Sequence, residues 1–306
     1  MSAQFVVAPG KAILAGEYAV LHGAPAVAVA VDRYVKVAPH DGGPDAPAPT
    51  PFVAAALRHA GHAPAPLHVD SSALYEGDMK LGLCSSAAVT AAVVVWAKLD
   101  KIRDKRVIFD LADEAHAEAQ GARGSGIDVA VSVYGGTIRF ARKNGAVDVR
   151  SVDLPDNVRL TFIWAGQQAS TPAMIRSVKA LAESAPSRHE AAIGRLMSQA
   201  HAFATAVDAN DPAALIRAAD AYGVAMAALG EAAGVEIVTR PHSLFAALAR
   251  RHGGAAKPSG AGGGDLGVAF TVGSEATAAL RDDARAAGLT VLSLGAPAPG
   301  LRLENA

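Results

Sequence analysis

The chain of 306 residues has a single cysteine, Cys84. That excludes an internal disulfide framework and fits a reducing compartment. It has no excess of either charge: 28 Lys and Arg stand against 29 Asp and Glu, a net charge of -1. A protein held to nucleic acid by bulk electrostatics needs a basic face, so no nucleic-acid partner is expected. Long apolar runs are also missing. The most apolar stretch, residues 87–97, is about 11 residues long, against the ~20 that cross a bilayer. The opening MSAQFVVAPGKA lacks the basic segment and apolar run of a signal peptide. The expectation is a soluble, cytoplasmic protein with no membrane partner. What is abundant is core-forming material: 51% of residues are apolar and 19% charged, the balance of an ordered chain. The length suggests two domains of roughly 150 residues each.

Element signals alternate along the chain. Residues 5–7 form a β-type run that is expected to stop at Pro9-Gly10, and two further strands follow within 11–37. Five prolines and two glycines over 39–51 predict a surface loop. Residues 67–70 suggest a strand. Helical spacing marks 87–99, 107–120 and the short 127–133, then strands are expected at 137–140, 147–152 and 160–164. Three helices fill 171–229, broken near Pro186 and Pro212, and another begins at Pro241. The tail gives strand 267–272, helix 274–287 and strand 290–294. The pattern is α+β, with a boundary near 153–157 dividing 1–155 from 156–306.

Three turns of small residues are candidates for chemistry. Gly82-Leu83-Cys84-Ser85-Ser86-Ala87 opens directly into a helix, whose first amides and positive dipole end attract anions. The hydroxyls of Ser85 and Ser86 suit phosphate or Mg²⁺, or one of them is simply an N-cap. Lys257-Pro258-Ser259-Gly260-Ala261-Gly262-Gly263-Gly264-Asp265 is either an anion-binding nest or a flexible surface loop. Pro9-Gly10-Lys11, with Gly16-Glu17-Tyr18 close behind, is the third. Asp128, in Gly124-Ser125-Gly126-Ile127-Asp128, is a general base, a charge anchor or a helix N-terminal acid. Neither a Walker motif nor a G-x-G-x-x-G fingerprint is present.

Taken in order, the motifs APGKAILAGEYAVLHG (8–23), KLGLCSSAAV (80–89), GSGIDVAVSVYGG (124–136) and KPSGAGGGDLG (257–267) resemble those of the GHMP kinase superfamily. Within it, Trp164-Ala165-Gly166-Gln167-Gln168-Ala169-Ser170-Thr171 and the spelling KPSGAGGGD resemble the phosphomevalonate kinases, while GEYAVLHG leans toward the mevalonate kinases. The resemblance implies an N-terminal domain like ribosomal protein S5 domain 2 and a ferredoxin-like C-terminal domain. ATP and a small phosphorylated acceptor would meet between them, in a monomer or homodimer. Gly82, Leu83, Cys84, Ser85, Ser86 and Ala87 would cradle the ATP phosphates. Lys11 and Asp128 would be catalytic. Lys11, Lys80, Ser170, Thr171, Ser259, Gly260, Ala261 and Gly262 would meet the acceptor, and Arg176 and Lys179 are weaker candidates. Retention of Lys11, Ser85, Ser86 and Asp128 argues against a fold that binds without catalysis.

Two positions depart from the pattern. Cys84 replaces a glycine, which would strain a positive φ. His116 stands where mevalonate kinases carry a Mg²⁺-binding glutamate, which leaves Ser85, Ser86 and the nearby Glu118 as the expected metal ligands.

Overall fold

The computed structural model describes residues 4–40, 48–77, 79–98 and 103–305. In chain order these form β1 (Gln4–Ala15), β2 (Ala26–Pro39), α1 (Pro51–His59), β3 (Leu67–Asp70), β4 (Tyr75–Glu76), β5 (Met79–Lys80) and α2 (Ser85–Ala97). Then come α3 (Lys105–Gln120), α4 (Ile127–Tyr134), β6 (Thr137–Lys143), β7 (Ala146–Val152), β8 (Val158–Trp164), α5 (Thr171–Ser184), α6 (Pro186–Asp208) and α7 (Pro212–Ala233). The chain ends with α8 (Arg240–Arg251), β9 (Ala255–Ser259), β10 (Leu266–Val272), α9 (Ser274–Ala286), β11 (Thr290–Leu292) and β12 (Arg302–Asn305).

Two antiparallel sheets organise these elements. The first runs β12-β1-β2-β6-β7, with β3 beside β2; the second runs β11-β8-β10-β9. The second sheet, with α8 before β9 and α9 after β10, has the split βαβ arrangement of a ferredoxin-like unit, with the extra helices α5 to α7 inserted between β8 and α8. Its last strand is not the chain's last. β12 returns to pair with β1, Gln4 opposite Asn305 and Val7 opposite Arg302. The first sheet therefore draws on both ends of the sequence, and the expected unit 156–306 gives its final strand to the other sheet.

Helix α2 is apolar on every side, and residues 87–95 are all buried. A helix without a polar face has to be enclosed. It packs between the first sheet and α1, α3 and α4, so its N-terminus comes out of the core at a defined point.

Several expectations change. β1 does not stop at Pro9-Gly10. A register shift there lets the strand continue to Ala15, which is where proline is tolerated inside a sheet. Helix α1, strand β9 and strand β12 were not among the expected elements and are present. The loop expected over 39–51 falls largely on 41–47, and the expected helix end at Leu99 falls at 99; both lie outside the described residues. The longest apolar helix is not 87–97 but α7, which by length and composition alone could span a bilayer.

Candidate active site

Beyond the bulge at Pro9-Gly10, the edge of β1 is no longer covered by β12. Two turns that are far apart in sequence cover it instead. The Lys11 amide donates to the Leu83 carbonyl at 3.2 Å, and the Ile13 amide donates to Ser259 Oγ at 2.8 Å. A Cβ on Gly10 would meet Leu83 Cβ at 3.0 Å, so the approach depends on glycine. The turns also touch each other: a Cβ on Gly82 would lie 2.6 Å from Asp265 Cβ. Residues 82–88 and 259–265 thus converge on one side of Lys11.

The Lys11 ammonium is 3.0 Å from Asp128 Oδ1, with the lysine side chain 5% exposed and the aspartate 35%. Burial alone would pull Lys11 down, but Asp128 beside it outweighs that and holds the ammonium above its ordinary value. Lys11 is therefore a permanent cation. Asp128 sits in the first turn of α4, which begins at the left-handed Gly126.

The reading of Ser85 or Ser86 as an N-cap does not hold. Cys84 occupies the N-cap of α2, and no side chain caps the helix. The first amides of α2 therefore stay open toward an anion. Cys84 itself has φ 57, the strained left-handed region expected if a side chain replaced glycine there. Burial, with Asp128 adding and Lys11 and Lys80 opposing, pushes its thiol up to about 11, so it is not a reactive thiolate at neutral pH. Ser86 Oγ lies 3.1 Å from His116 Nε2. Burial holds that imidazole below its ordinary value, against the pull of Asp128 and Asp113.

Glu118 is not at this site. It is paired with Arg58 and with His59 Nε2 on α1. Residues two apart on a helix point in opposite directions: His116 faces Ser86, and Glu118 faces away. Among the described residues no cluster of three His, Cys, Asp or Glu side chains could hold a metal. The remaining donors that suit Mg²⁺ accompanying a nucleotide are the hydroxyls of Ser85 and Ser86 and the carboxylate of Asp128. That fits an ion which keeps several waters and binds mainly to phosphate oxygens.

The third turn is anchored from below. Glu17 Oε1 pairs with Lys257 Nζ at 2.5 Å, their side chains 3% and 0% exposed. The same carboxylate oxygen accepts from the Gly260 amide at 3.3 Å. Tyr222, on α7, lies under Lys257 and donates its hydroxyl to the Glu17 carbonyl. The Tyr18 hydroxyl donates to the Ala261 carbonyl at 2.5 Å, and the Gly263 amide to Ile237. Ser259 and Gly260 are thereby engaged in holding the turn; the amides of Ala261 and Gly262 have no partner among the described residues. Ser170 and Thr171 open α5, both exposed, beside a segment clasped to the same turn. Gln167 donates to Gly263 and accepts from the Asp265 amide. Lys80 is exposed, and its charge is felt at both Cys84 and Asp265. Arg176 and Lys179 are solvent-exposed on α5.

Glu17, Lys257, Tyr222 and Asp265 were not singled out by sequence. Their roles arise from contacts across some 200 residues. The one available signal was position, since three of the four lie inside the glycine-rich motifs.

Residues 51–136 match the sequence profile described as the GHMP kinases N terminal domain. Phosphomevalonate kinase of Streptomyces sp. is 30% identical over 86% of this chain and 88% of its own length. The chain belongs to the GHMP kinases. Mevalonate kinase of Archaeoglobus fulgidus is also 30% identical, over 84% of this chain and 88% of that protein. Among solved structures, phosphomevalonate kinase of Streptococcus pneumoniae in complex with phosphomevalonate and AMPPNP superposes with a TM-score of 0.81 at 19% identity, covering 95% of this chain and 99% of that one. The Lin0012 protein of Listeria innocua gives 0.87 at 24% identity, covering 99% of each chain. As a GHMP kinase the chain is a phosphotransferase with the family's two-unit α+β fold.

Proposed function

We propose that this GHMP kinase transfers the γ-phosphoryl group of ATP to 5-phosphomevalonate, giving 5-diphosphomevalonate and ADP. The observation that carries the reading is the pairing of buried Lys11 with the partly exposed Asp128, set where the open N-terminus of α2 meets the third turn. Phosphoryl transfer is accelerated mainly by positioning and by charge neutralisation. The α2 amides receive the triphosphate. Lys11, kept protonated by its surroundings, neutralises charge on the moving phosphoryl group. Mg²⁺ bound with ATP would be held by Ser85, Ser86 and Asp128 and would further neutralise the phosphates.

Asp128 pairs with Lys11 through Oδ1, which suits an acceptor that needs no base. A phosphate monoester is largely dianionic at pH 7 and is already nucleophilic. It requires cations, and Lys80 at the mouth of the site provides one. The amides of Ala261 and Gly262 and the hydroxyls of Ser170 and Thr171 are positioned to meet the acceptor. The clasp between 165–171 and the third turn and the similarity to the Streptomyces enzyme support the same acceptor.

Mevalonate is the second reading, favoured by the equal identity to the Archaeoglobus mevalonate kinase and by the partial exposure of Asp128, which leaves it reachable by a hydroxyl. ADP release measured with each acceptor separates the two. Faster turnover of mevalonate than of phosphomevalonate overturns the proposal. Asp128→Asn should lower turnover by about 10–100-fold with a phosphate acceptor, through loss of the Lys11 partner. Loss of a required general base would push the effect toward the upper end of 10²–10⁴-fold.

A further inference from the structure

Helix α4 is only eight residues long and starts without a side-chain cap, at the left-handed Gly126. A helix so short is marginal on its own, yet Asp128 in its first turn has to present Oδ1 to Lys11. Something outside the helix must fix it. Residues four apart share one helix face, and the residue one turn after Asp128 is Ser132. Its hydroxyl is shared between two carbonyls, donating to Pro9 of β1 at 3.0 Å and to Asp128 at 3.2 Å. The second bond is the usual return of a helical serine to the preceding turn. The first spans 123 residues of sequence. Ser132 is buried, and so are Val129, Ala130, Val131 and Val133 around it. In such surroundings a hydroxyl is unfavourable unless it is bonded, so packing alone gives no reason for a serine there.

The two contacts between α4 and β1 form a matched pair. Pro9 and Lys11 are two residues apart, about 6.6 Å along a strand. Asp128 and Ser132 are one helical turn apart, ~5.4 Å. The helix therefore lies against the strand at two points, running in the opposite direction, with Ser132 on Pro9 and Asp128 on Lys11. A single contact would let α4 pivot; two stop both rotation about its axis and a slip along the strand. Pro9 stands at the register break of β1, so the bond also pins the strand at the place from which Lys11 projects. On its other side Ser132 is held by its own carbonyl, which accepts from the Leu301 amide at 3.0 Å. We infer that Ser132 is a positioning residue for phosphoryl transfer: its hydroxyl, joining the Pro9 and Asp128 carbonyls, sets the Asp128 carboxylate against the Lys11 ammonium. The inference rests on the reading of that pair as the working groups, and it holds for either acceptor.

ADP release by the full chain tests this, with whichever of phosphomevalonate and mevalonate turns over faster. Ser132→Ala should lower kcat about tenfold, since displacing the reacting groups by even 1 Å can cost on the order of a hundredfold. The KM for ATP should stay within about twofold, because the α2 amides are untouched. Ser132→Cys keeps the space filled with a weak donor; it should show the same loss of kcat, and it serves if the alanine variant folds poorly. Combination with Asp128→Asn separates positioning from mere stability. A group that acts through Asp128 adds little once the carboxylate is gone, so Ser132→Ala/Asp128→Asn should lie within about threefold of Asp128→Asn alone. As a control, Thr277→Val removes another buried hydroxyl, bonded to Gly273 and Thr271 on α9, and should keep the wild-type kcat. Folded Ser132 variants with undiminished kcat, a loss that Thr277→Val matches, or fully multiplicative effects in the double variant would overturn the inference. Asp128→Asn with undiminished kcat would instead overturn the reading of the pair, and the inference with it.

Discussion

Replacing Lys257 by methionine tests whether the third turn is held by the ion pair beneath it. The side chain removed is completely buried, and Met roughly preserves its volume against the Tyr222 ring. What remains is Glu17, 3% exposed, with Oε1 keeping only the Gly260 amide and Oε2 already without a partner. Breaking a buried pair by deleting one partner costs about 3–5 kcal/mol, because the orphaned charge stays out of water. With a denaturant slope of about 3 kcal/mol per molar urea, the midpoint should fall by about 1–1.7 M. The charge-free double variant Glu17→Gln/Lys257→Met should recover most of that loss. Burial lowers the Lys257 ammonium below its ordinary value in spite of Glu17, which agrees with desolvation being the dominant cost. Urea unfolding followed by circular dichroism reads all three proteins. A single variant that loses less than about 1 kcal/mol, or a double variant less stable than the single, would refute the argument. The KM for the acceptor should rise in the single variant and partly recover in the double, since Glu17 also fixes Gly260.

Two further predictions concern the second turn. Gly82→Ala combines φ +73 with a Cβ 2.6 Å from Asp265, so it should destabilise by about 2 kcal/mol or more and raise the KM for ATP; unchanged kinetics would mean the two turns do not meet. Cys84 alkylation by iodoacetamide should rise tenfold per pH unit up to about 11 and be roughly a hundredfold slower at neutral pH than that of an ordinary thiol; a rate that levels near pH 9 would contradict the burial argument. Cys84→Gly should be more stable than Cys84→Ala by about 1 kcal/mol, because only the glycine relieves the left-handed backbone.

Elements with their own periodicity were legible in sequence. Helices α3, α5, α6, α7 and α9 and strands β6, β7 and β8 lie close to where spacing alone placed them. Two of the missed elements, β9 and β12, have sequences that speak against them. β9 reads Ala-Ala-Lys-Pro-Ser and becomes a strand only by pairing with β10; its lysine is buried because Glu17, 240 residues away, lies opposite. β12 is short and half charged, and it forms because the lower edge of β1 is open to it. In the site, the motifs correctly brought Lys11, Asp128 and the two turns together. They did not reveal that Ser259 and Gly260 act as anchors, nor that Glu118 points at α1. Which way a side chain points is set by helix phase and by long-range partners, and a local motif encodes neither.

The bonds at the third turn also bear on how the two sheets relate as units. Ile13 to Ser259, Tyr18 to Ala261 and Glu17 to Lys257 all connect β1 and the segment just after it to the turn between β9 and β10. Moving that turn away from Lys11 would strip a desolvated ion pair, one buried and one partly buried hydrogen bond at once. The resulting penalty is of the order of the whole stability of an ordinary domain. The division into two sheets is thus one of topology, and the turn behaves mechanically as part of the first sheet. The second turn is held differently, through the Lys11 amide to Leu83, the contact of Gly82 with Asp265 and the enclosed helix α2 that it opens. The proposed function sets the acceptor against the anchored third turn, where misplacement of the reacting groups by even 1 Å would be damaging to the rate.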